Sequence, residues 1–245
     1  MIHGASAVYY REILILRRRL TRLVPSWSVS PLLYLIAFGY AMGKHVTVQG
    51  HSYMEFLIPG LIAMSSMTQA FAISSEINIA RFYWHIFEEI QAAPVSDLSY
   101  VIGEVLAGMT RAILAILVIL VLGLLFGVVI SCNVWFWLAV MLNSFVFASL
   151  AVGLAMLVKS HADQTLVTSF VITPMAFLGG TFFPVENFPA WAQKAIYFLP
   201  LTHASTSIRT ASFGNMPSVS SLVILAVTGG VFFYISVLCV KKAKD

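Results

Sequence analysis

Apolar residues run along this chain in six blocks of roughly twenty, separated by short polar stretches. A bilayer core about 30 Å thick needs about 20 residues of helix, and a helix satisfies its own backbone inside lipid. The pattern therefore predicts six membrane-spanning helices, at about 25–43, 57–75, 112–130, 135–158, 165–183 and 219–240. The third carries no polar residue from Ala112 to Ile130, whereas the second is diluted by Ser65, Ser66, Thr68 and Gln69 and the fifth by Thr168, Ser169, Thr173 and Pro174. Residues 1–24 read as a separate amphipathic helix. At 100° per residue Tyr9, Ile13, Leu16, Leu20 and Leu23 fall within about 80° of one another, with Arg11, Arg18 and Arg22 opposite. Such a helix lies along the cytoplasmic headgroups, arginines towards anionic lipid.

The loops add two features. Residues 81–100 (RFYWHIFEEIQAAPVSDLSY) form the longest loop on the side of the termini, in which Pro94 ends a short helix at about Ala93 and Ser96 or Asp97 caps the next. Residues 184–216 are too polar to cross yet rich in aromatics, including Phe188, Trp191, Tyr197, Phe198 and Phe213. Pro189 suits a first helical turn, after which Trp191, Ala195 and Leu199 share a face. This segment is expected to hold interfacial or re-entrant helices. The fold class is thus all-α integral membrane, a single transmembrane domain over 1–245 with a short tail at 241–245.

Composition agrees: 60% of the 245 residues are apolar and 10% charged, with a mean hydropathy of +0.91, against about 25% charged in soluble domains. A secreted, disordered or nucleic-acid-binding protein is excluded. The net charge of +4 comes from asymmetry. Arg11, Arg17, Arg18, Arg19, Arg22, Arg81, Arg111, Lys159, Lys241, Lys242 and Lys244 fall on one side of the six spans, and only Lys44, Lys194 and Arg209 on the other. Lys and Arg accumulate in cytoplasmic loops, so both termini are expected in the cytoplasm. Arginines at 11 and 17–19 interrupt any signal-peptide core, and Cys132 and Cys239 stand at opposite ends of spans, too far apart for a disulfide.

Residues able to do chemistry are sparse. No nucleophile, base and orienting group assemble along the chain, and GYAMGK at 39–44 lacks both the spacing and the Ser or Thr of a phosphate loop. His45 and His51 lack a third metal ligand. Glu55 and Glu76 bracket the second span, and Glu104 and Arg111 fall at or below the cytoplasmic edge of the third, where Arg111 would snorkel. Neither set resembles the deep acids of an ion-coupled carrier. Small residues at Gly39/Gly43, Gly123/Gly127 and Ser149/Gly153 suit close helix packing.

Three stretches in order carry a resemblance: FLIPGL at 56–61, EEIQAAPV at 88–95 and PLTHASTSIR at 200–209, the last preceded by FLGGTFFP at 177–184. Together with six spans and an amphipathic N-terminus, they resemble the ABC-2 type permeases, the membrane subunits of drug, lipid and Nod-factor exporters. Phe188-Pro189 stands where many members have Leu-Pro or Met-Pro. The resemblance implies a non-enzymatic transport subunit in a bacterial inner membrane that moves an amphipathic or lipid-like substrate outward. It also implies a homodimer of permeases docked on two ATP-binding cassette subunits, with ATP and magnesium bound by those partners and no cofactor by this chain. It assigns the coupling helix to the 81–100 loop, through Glu88, Glu89, Ile90, Ala93, Pro94 and Val95, and gives Pro200, His203 and Arg209 the role of fixing the extracytoplasmic segment. Ser65, Ser66, Thr68 and Gln69 are candidate pathway-lining groups. A membrane scaffold that binds a cytoplasmic partner and an ion-coupled carrier are the alternatives; the former predicts binding without ATPase stimulation, the latter transport without ATP.

Overall fold

A computed structural model describes residues 2–40, 47–48 and 50–243. Among these, eleven α-helices and one two-residue β-ladder are formed. Four helical stretches are long and apolar enough to cross a membrane alone: Tyr53–Phe82, Asp97–Leu125, Val134–Leu157 and Val219–Lys242. The first comprises α2 (Tyr53–Phe71) and α3 (Ile73–Phe82); the others are α5, α6 and α11. The remaining two expected spans are built differently. Helix α1 (Ile2–Tyr34) continues as a π-helical turn at Leu35–Tyr40. The fifth is composite, with α7 (His161–Val167), a π-helical turn (Thr168–Ile172) and α8 (Thr173–Leu178) in unbroken succession. Short α4 (Ile86–Ala92) links α3 to α5, and α9 (Ala190–Tyr197) and α10 (Pro200–Ser212) precede α11.

Several boundaries differ from the sequence reading. No break separates an N-terminal helix from the first span: α1 runs straight through position 24, with Pro25 and Pro31 inside it. Proline removes a backbone donor, which leaves the Thr21 and Trp27 carbonyls without their helical partners; the Ser26 and Ser28 hydroxyls donate to Leu23 and Pro25, each at 2.7 Å. Helix α2 starts at Tyr53 because Ser52 and Glu55 form a reciprocal capping box, beside the ladder of β1 (Thr47–Val48) and β2 (His51–Ser52). Helix α5 begins at Asp97, fifteen residues before the expected edge, capped by Ser96. It stops at Leu125 because Gly127 takes φ +78° and the Val128 amide donates back to Gly123 at 2.9 Å, a left-handed stop that glycine makes without strain. Gly127 is therefore a cap and not part of a packing seam. The Gly43 end of the first span, Lys44, His45, Lys244 and most of GYAMGK lie outside the described residues. His51 stacks on Phe213 at 3.7 Å.

Helix α2 is the axis of the core. Its residues from Phe56 to Met67 are all buried, enclosed by α5, α6 and α10. Helix α11 packs along α6, where Gly153 admits Ser236 and the Ser236 hydroxyl donates to the Ser149 carbonyl at 2.6 Å. The N-terminal half of α1 runs beside the start of α5: Gly4 faces Ser99, Val8 faces Gly103, and the Tyr9 and Thr110 hydroxyls meet at 3.0 Å. On α9 the buried face is Ala192 and Ile196, while Trp191 is 77% exposed; the face expected from Trp191, Ala195 and Leu199 points outward.

A Cβ on Gly60 would come within 2.3 Å of the Thr181 carbonyl oxygen, whereas one on Gly230 would meet nothing within 4 Å. Forcing that backbone apart costs about 1–3 kcal/mol. Gly60→Ala is expected to lower the unfolding temperature in detergent by roughly 2–4 °C per kcal/mol lost, read from tryptophan fluorescence. Gly230→Ala is expected to leave it unchanged.

Candidate functional site

The two spans that looked weakest by sequence, the second and the fifth, face each other across a cavity of about 390 Å³ whose third wall is α1. From α2 and α3 come Ser65, Thr68, Gln69, Phe71 and Ser75, at helical spacings that put them on one face. Thr168, Ile172, Thr173 and Phe177 come from the fifth span, and Ser26, Trp27, Ser30, Pro31 and Tyr34 from α1. Three of the four candidate pathway residues thus share this space. The fourth does not: Ser66, one residue and about 100° around the helix, is fully buried on the far side and bonded to Asn143 Nδ2 at 2.6 Å. The α1 residues were missed, although Ser26 and Ser30 stand one turn apart in an otherwise apolar stretch. The π-helical turn at Thr168–Ile172 forms part of the wall, a distortion frequent at functional sites.

Above the cavity, three of the four motif stretches converge. Arg209 on α10 is buried, donates from Nε to the Phe56 carbonyl at 3.3 Å and from Nη2 to the Gly180 carbonyl at 2.8 Å, and lies 3.7 Å over the Phe56 ring. FLIPGL, FLGGTFFP and PLTHASTSIR are thereby held at one point, with Gly60 allowing the close approach. His203 donates from Nε2 to the Tyr197 carbonyl at 2.8 Å. Since a carbonyl only accepts, the neutral ring leaves Nδ1 to accept from the Ser221 hydroxyl at 3.3 Å. Pro200 opens α10 at its first turn. These contacts tie α10 to α2, α9 and α11.

At the opposite end, α4 ends at Ala92 ahead of Pro94, and Ser96 caps α5. Phe87 anchors it, edge-on to Tyr100 at 5.5 Å and beside the Arg81 guanidinium. Arg81 itself bonds the Ala155 carbonyl on α6, and Gln91 reaches the Ala243 carbonyl at 3.4 Å. Ile90 and Val95 pack half-buried on the core. Glu88, Glu89, Ala93 and Pro94 are exposed, beside Tyr83 at 67% and Trp84 at 46%. The segment thus presents two carboxylates and two aromatic rings on a rigid mount.

Between these ends lies an ionic cluster that sequence reasoning placed at the membrane edge. Glu76 on α3 accepts from Arg19 of α1 at 3.0 Å on both oxygens and from Arg111 of α5 at 3.2 Å. Arg111 therefore does not snorkel; it is 9% exposed and paired. Glu104, 1% exposed, lies within electrostatic reach of Glu12, Arg11 and Glu76. Glu12 pairs with Arg11 at 3.1 Å. The buried stripe of α1 passes through Val8, Glu12 and Leu16, so Glu12 sits where periodicity placed only apolar groups.

The comparisons with known proteins fit this geometry. A family model described as ABC-2 type transporter matches residues 5–213. The inner membrane transport permease YadH of Escherichia coli strain K12 is 29% identical over 223 residues, covering 84% of this chain and 82% of its own. Nodulation protein J of Rhizobium meliloti strain 1021 is 34% identical over 188 residues, 76% and 72% of the two chains. Nodulation protein J of Rhizobium leguminosarum bv. viciae is 30% identical over 219 residues, 85% and 82%.

Removing one partner of a buried ion pair costs about 3–5 kcal/mol, while replacing the pair by apolar groups is often near neutral. Glu76→Gln is accordingly expected to destabilise the chain strongly, and Glu76→Leu/Arg111→Met to recover most of the loss. Unfolding midpoints of the three proteins in the same detergent check this.

Proposed function

Since the chain belongs to the ABC-2 type transporter family, we propose that it is the membrane subunit of an ATP-driven exporter in a bacterial inner membrane. Energy would come from a separate ATP-binding cassette subunit, two of which dock beneath two copies of this chain. The substrate is an amphipathic or lipid-like molecule. The observation that carries the reading is the hydroxyl- and amide-lined cavity between α1, α2 and the fifth span, set in a chain that is otherwise apolar. Polar groups at membrane depth, when they are not paired within the protein, mark substrate pathways.

The same surface supports this assembly. Ser30 and Thr173, which line the cavity, are exposed. Hydroxyls facing acyl chains find no partner outside their own helix, so this side is expected to meet a second copy or a water-filled seam between copies. Glu88 and Glu89 on α4 would face basic residues of the cassette, with Tyr83 and Trp84 beside them. The sequence asymmetry of Lys and Arg puts this end, and both termini, in the cytoplasm. ATP-driven closure of the cassettes would then push α4 and α1 and rock the two copies between packed states. The alternative of an ion-coupled carrier is opposed by Glu76, whose carboxylate is already held by two arginines.

Co-purifying the chain with the ATP-binding protein encoded beside it and assaying ATPase activity in lipid tests this. Wild type is expected to raise the cassette's activity, and Glu88→Arg/Glu89→Arg to lower that stimulation about tenfold or more through charge reversal at the contact. An ATPase indifferent to the chain would sink the exporter reading.

A further inference from the structure

The lining of the cavity narrows the chemistry of what enters it. Ser26, Ser30, Ser65, Thr68, Gln69 and Ser75 bring hydroxyls and one carboxamide, and among the described residues no Lys, Arg, Asp or Glu lines the space. Gln69 makes no side-chain hydrogen bond to the described residues, nor do Ser30, Ser65 and Ser75, so two amide donors, one amide acceptor and three hydroxyls face the cavity. Ser26, Thr68, Thr168 and Thr173 donate to carbonyls of their own helices at 2.7–3.2 Å, which leaves their oxygens free to accept. Pro31 adds a backbone acceptor, because it has no N–H for the Trp27 carbonyl one turn back. Every one of these groups is neutral, and the set both donates and accepts. Its complement is a group that also does both, as hydroxyls and amides do.

Charge is answered elsewhere. Glu76 is the acid adjoining the lining, next to Ser75, and both its oxygens are taken by Arg19 and Arg111. An ionised head group in this space would lose water without gaining a counter-charge, a penalty that neutral hydrogen bonds do not offset. The polar groups also have a direction. Ser26, Gln69, Ser75 and Thr168 lie at the inner end, given the antiparallel course of α1 and α2. At the outer end Tyr34 and Phe177 pack on Phe182 at 4.9 and 5.3 Å, an apolar wall that suits an alkyl chain. At about 390 Å³ the space falls within the 300–1,000 Å³ typical of small-molecule sites.

We propose that this cavity receives the uncharged, hydroxyl-bearing head group of an amphiphile, a glycoside or polyol with an apolar tail, and excludes anionic and cationic head groups. This deepens the transport reading above and rests on it for the claim that the ligand is cargo.

The test uses the full chain in lipid nanodiscs with Trp27 as its only tryptophan, Trp84, Trp135, Trp137 and Trp191 being replaced by Phe. Trp27 lines the cavity and is 7% exposed. Decyl glucoside, decyl phosphate and decyltrimethylammonium are titrated below their micellar concentrations. The expected result is a saturable change in Trp27 emission with the glucoside alone, weakened about three- to tenfold by Gln69→Leu, the loss of one or two hydrogen bonds. Isothermal titration of the wild-type chain in the same discs supplies a second reading should the single-tryptophan protein not fold. Equal or tighter saturable binding of either charged probe would overturn the proposal, and so would unsaturable partitioning of all three or indifference to Gln69→Leu. The ATPase assay separates the two readings: glucoside binding with an indifferent ATPase removes the transporter and keeps the head-group site, and the reverse removes the site alone.

Discussion

A polar group inside a bilayer has no water to turn to, and most of this structure follows from how that constraint is met. Asn143 on α6 donates to the Ala63 carbonyl and to Ser66. Gln164 on α7 bridges Asn78 and Ser74 of α3 at 3.1 and 2.8 Å. Glu76 joins α1 and α5 through two arginines. Each such pair links elements distant in sequence, and each fixes a rotation and a depth that apolar packing alone would leave free to slide. In a medium as apolar as leucine, these bonds and close backbone contacts take over much of what hydrophobic burial does in water.

Against that background, the cavity between α1, α2 and the fifth span gathers hydroxyls and an amide that have no side-chain partner among the described residues. Its position is set from both ends. The Arg209 clasp fixes the outer turn of FLGGTFFP against α2, and the ionic cluster fixes α1 against α3 and α5. The segment carrying Glu88 and Glu89 is mounted on the same helices through Phe87 and Arg81. The segment and the cavity are thus joined through α3, whose first turn lines the cavity at Ser75.

The legible part of this was the part written locally. The bounds expected for α6 and α11 fall within one and two residues of the helices formed, where Asn133 caps the start of α6 and Lys241 and Lys242 close α11. Pro94 and Ser96 marked α4 and the start of α5. The capping box of Ser52 and Glu55 was present in the letters and would have placed Tyr53 correctly. What could not be read locally was pairing. Glu104 and Arg111 depress any hydropathy window, so the third span seemed to begin after them, when their partners arrive from α1 and α3. Ser65 and Ser66 are equivalent in composition and opposite in role; only the arrival of Asn143 from α6 decides which of them faces inward. The continuity of α1 was hidden by Pro25, a residue that ends helices in water and is tolerated where neighbouring hydroxyls and helices re-satisfy the backbone.

The Arg209 clasp also has a place in time. Its two partners on the chain, Phe56 and Gly180, precede it by 153 and 29 residues. At synthesis rates of about 5–20 residues per second, the Phe56 carbonyl is made roughly 8–30 seconds before the guanidinium that will cap it. Through that interval the Phe56 and Gly180 carbonyls lack the guanidinium that joins them, and only contacts such as the Tyr53 hydroxyl on the Phe182 carbonyl at 3.0 Å hold α2 to FLGGTFFP. A chain cut short between residues 183 and 209 has the first five expected spans and lacks the cation that joins FLIPGL, FLGGTFFP and α10 at one point.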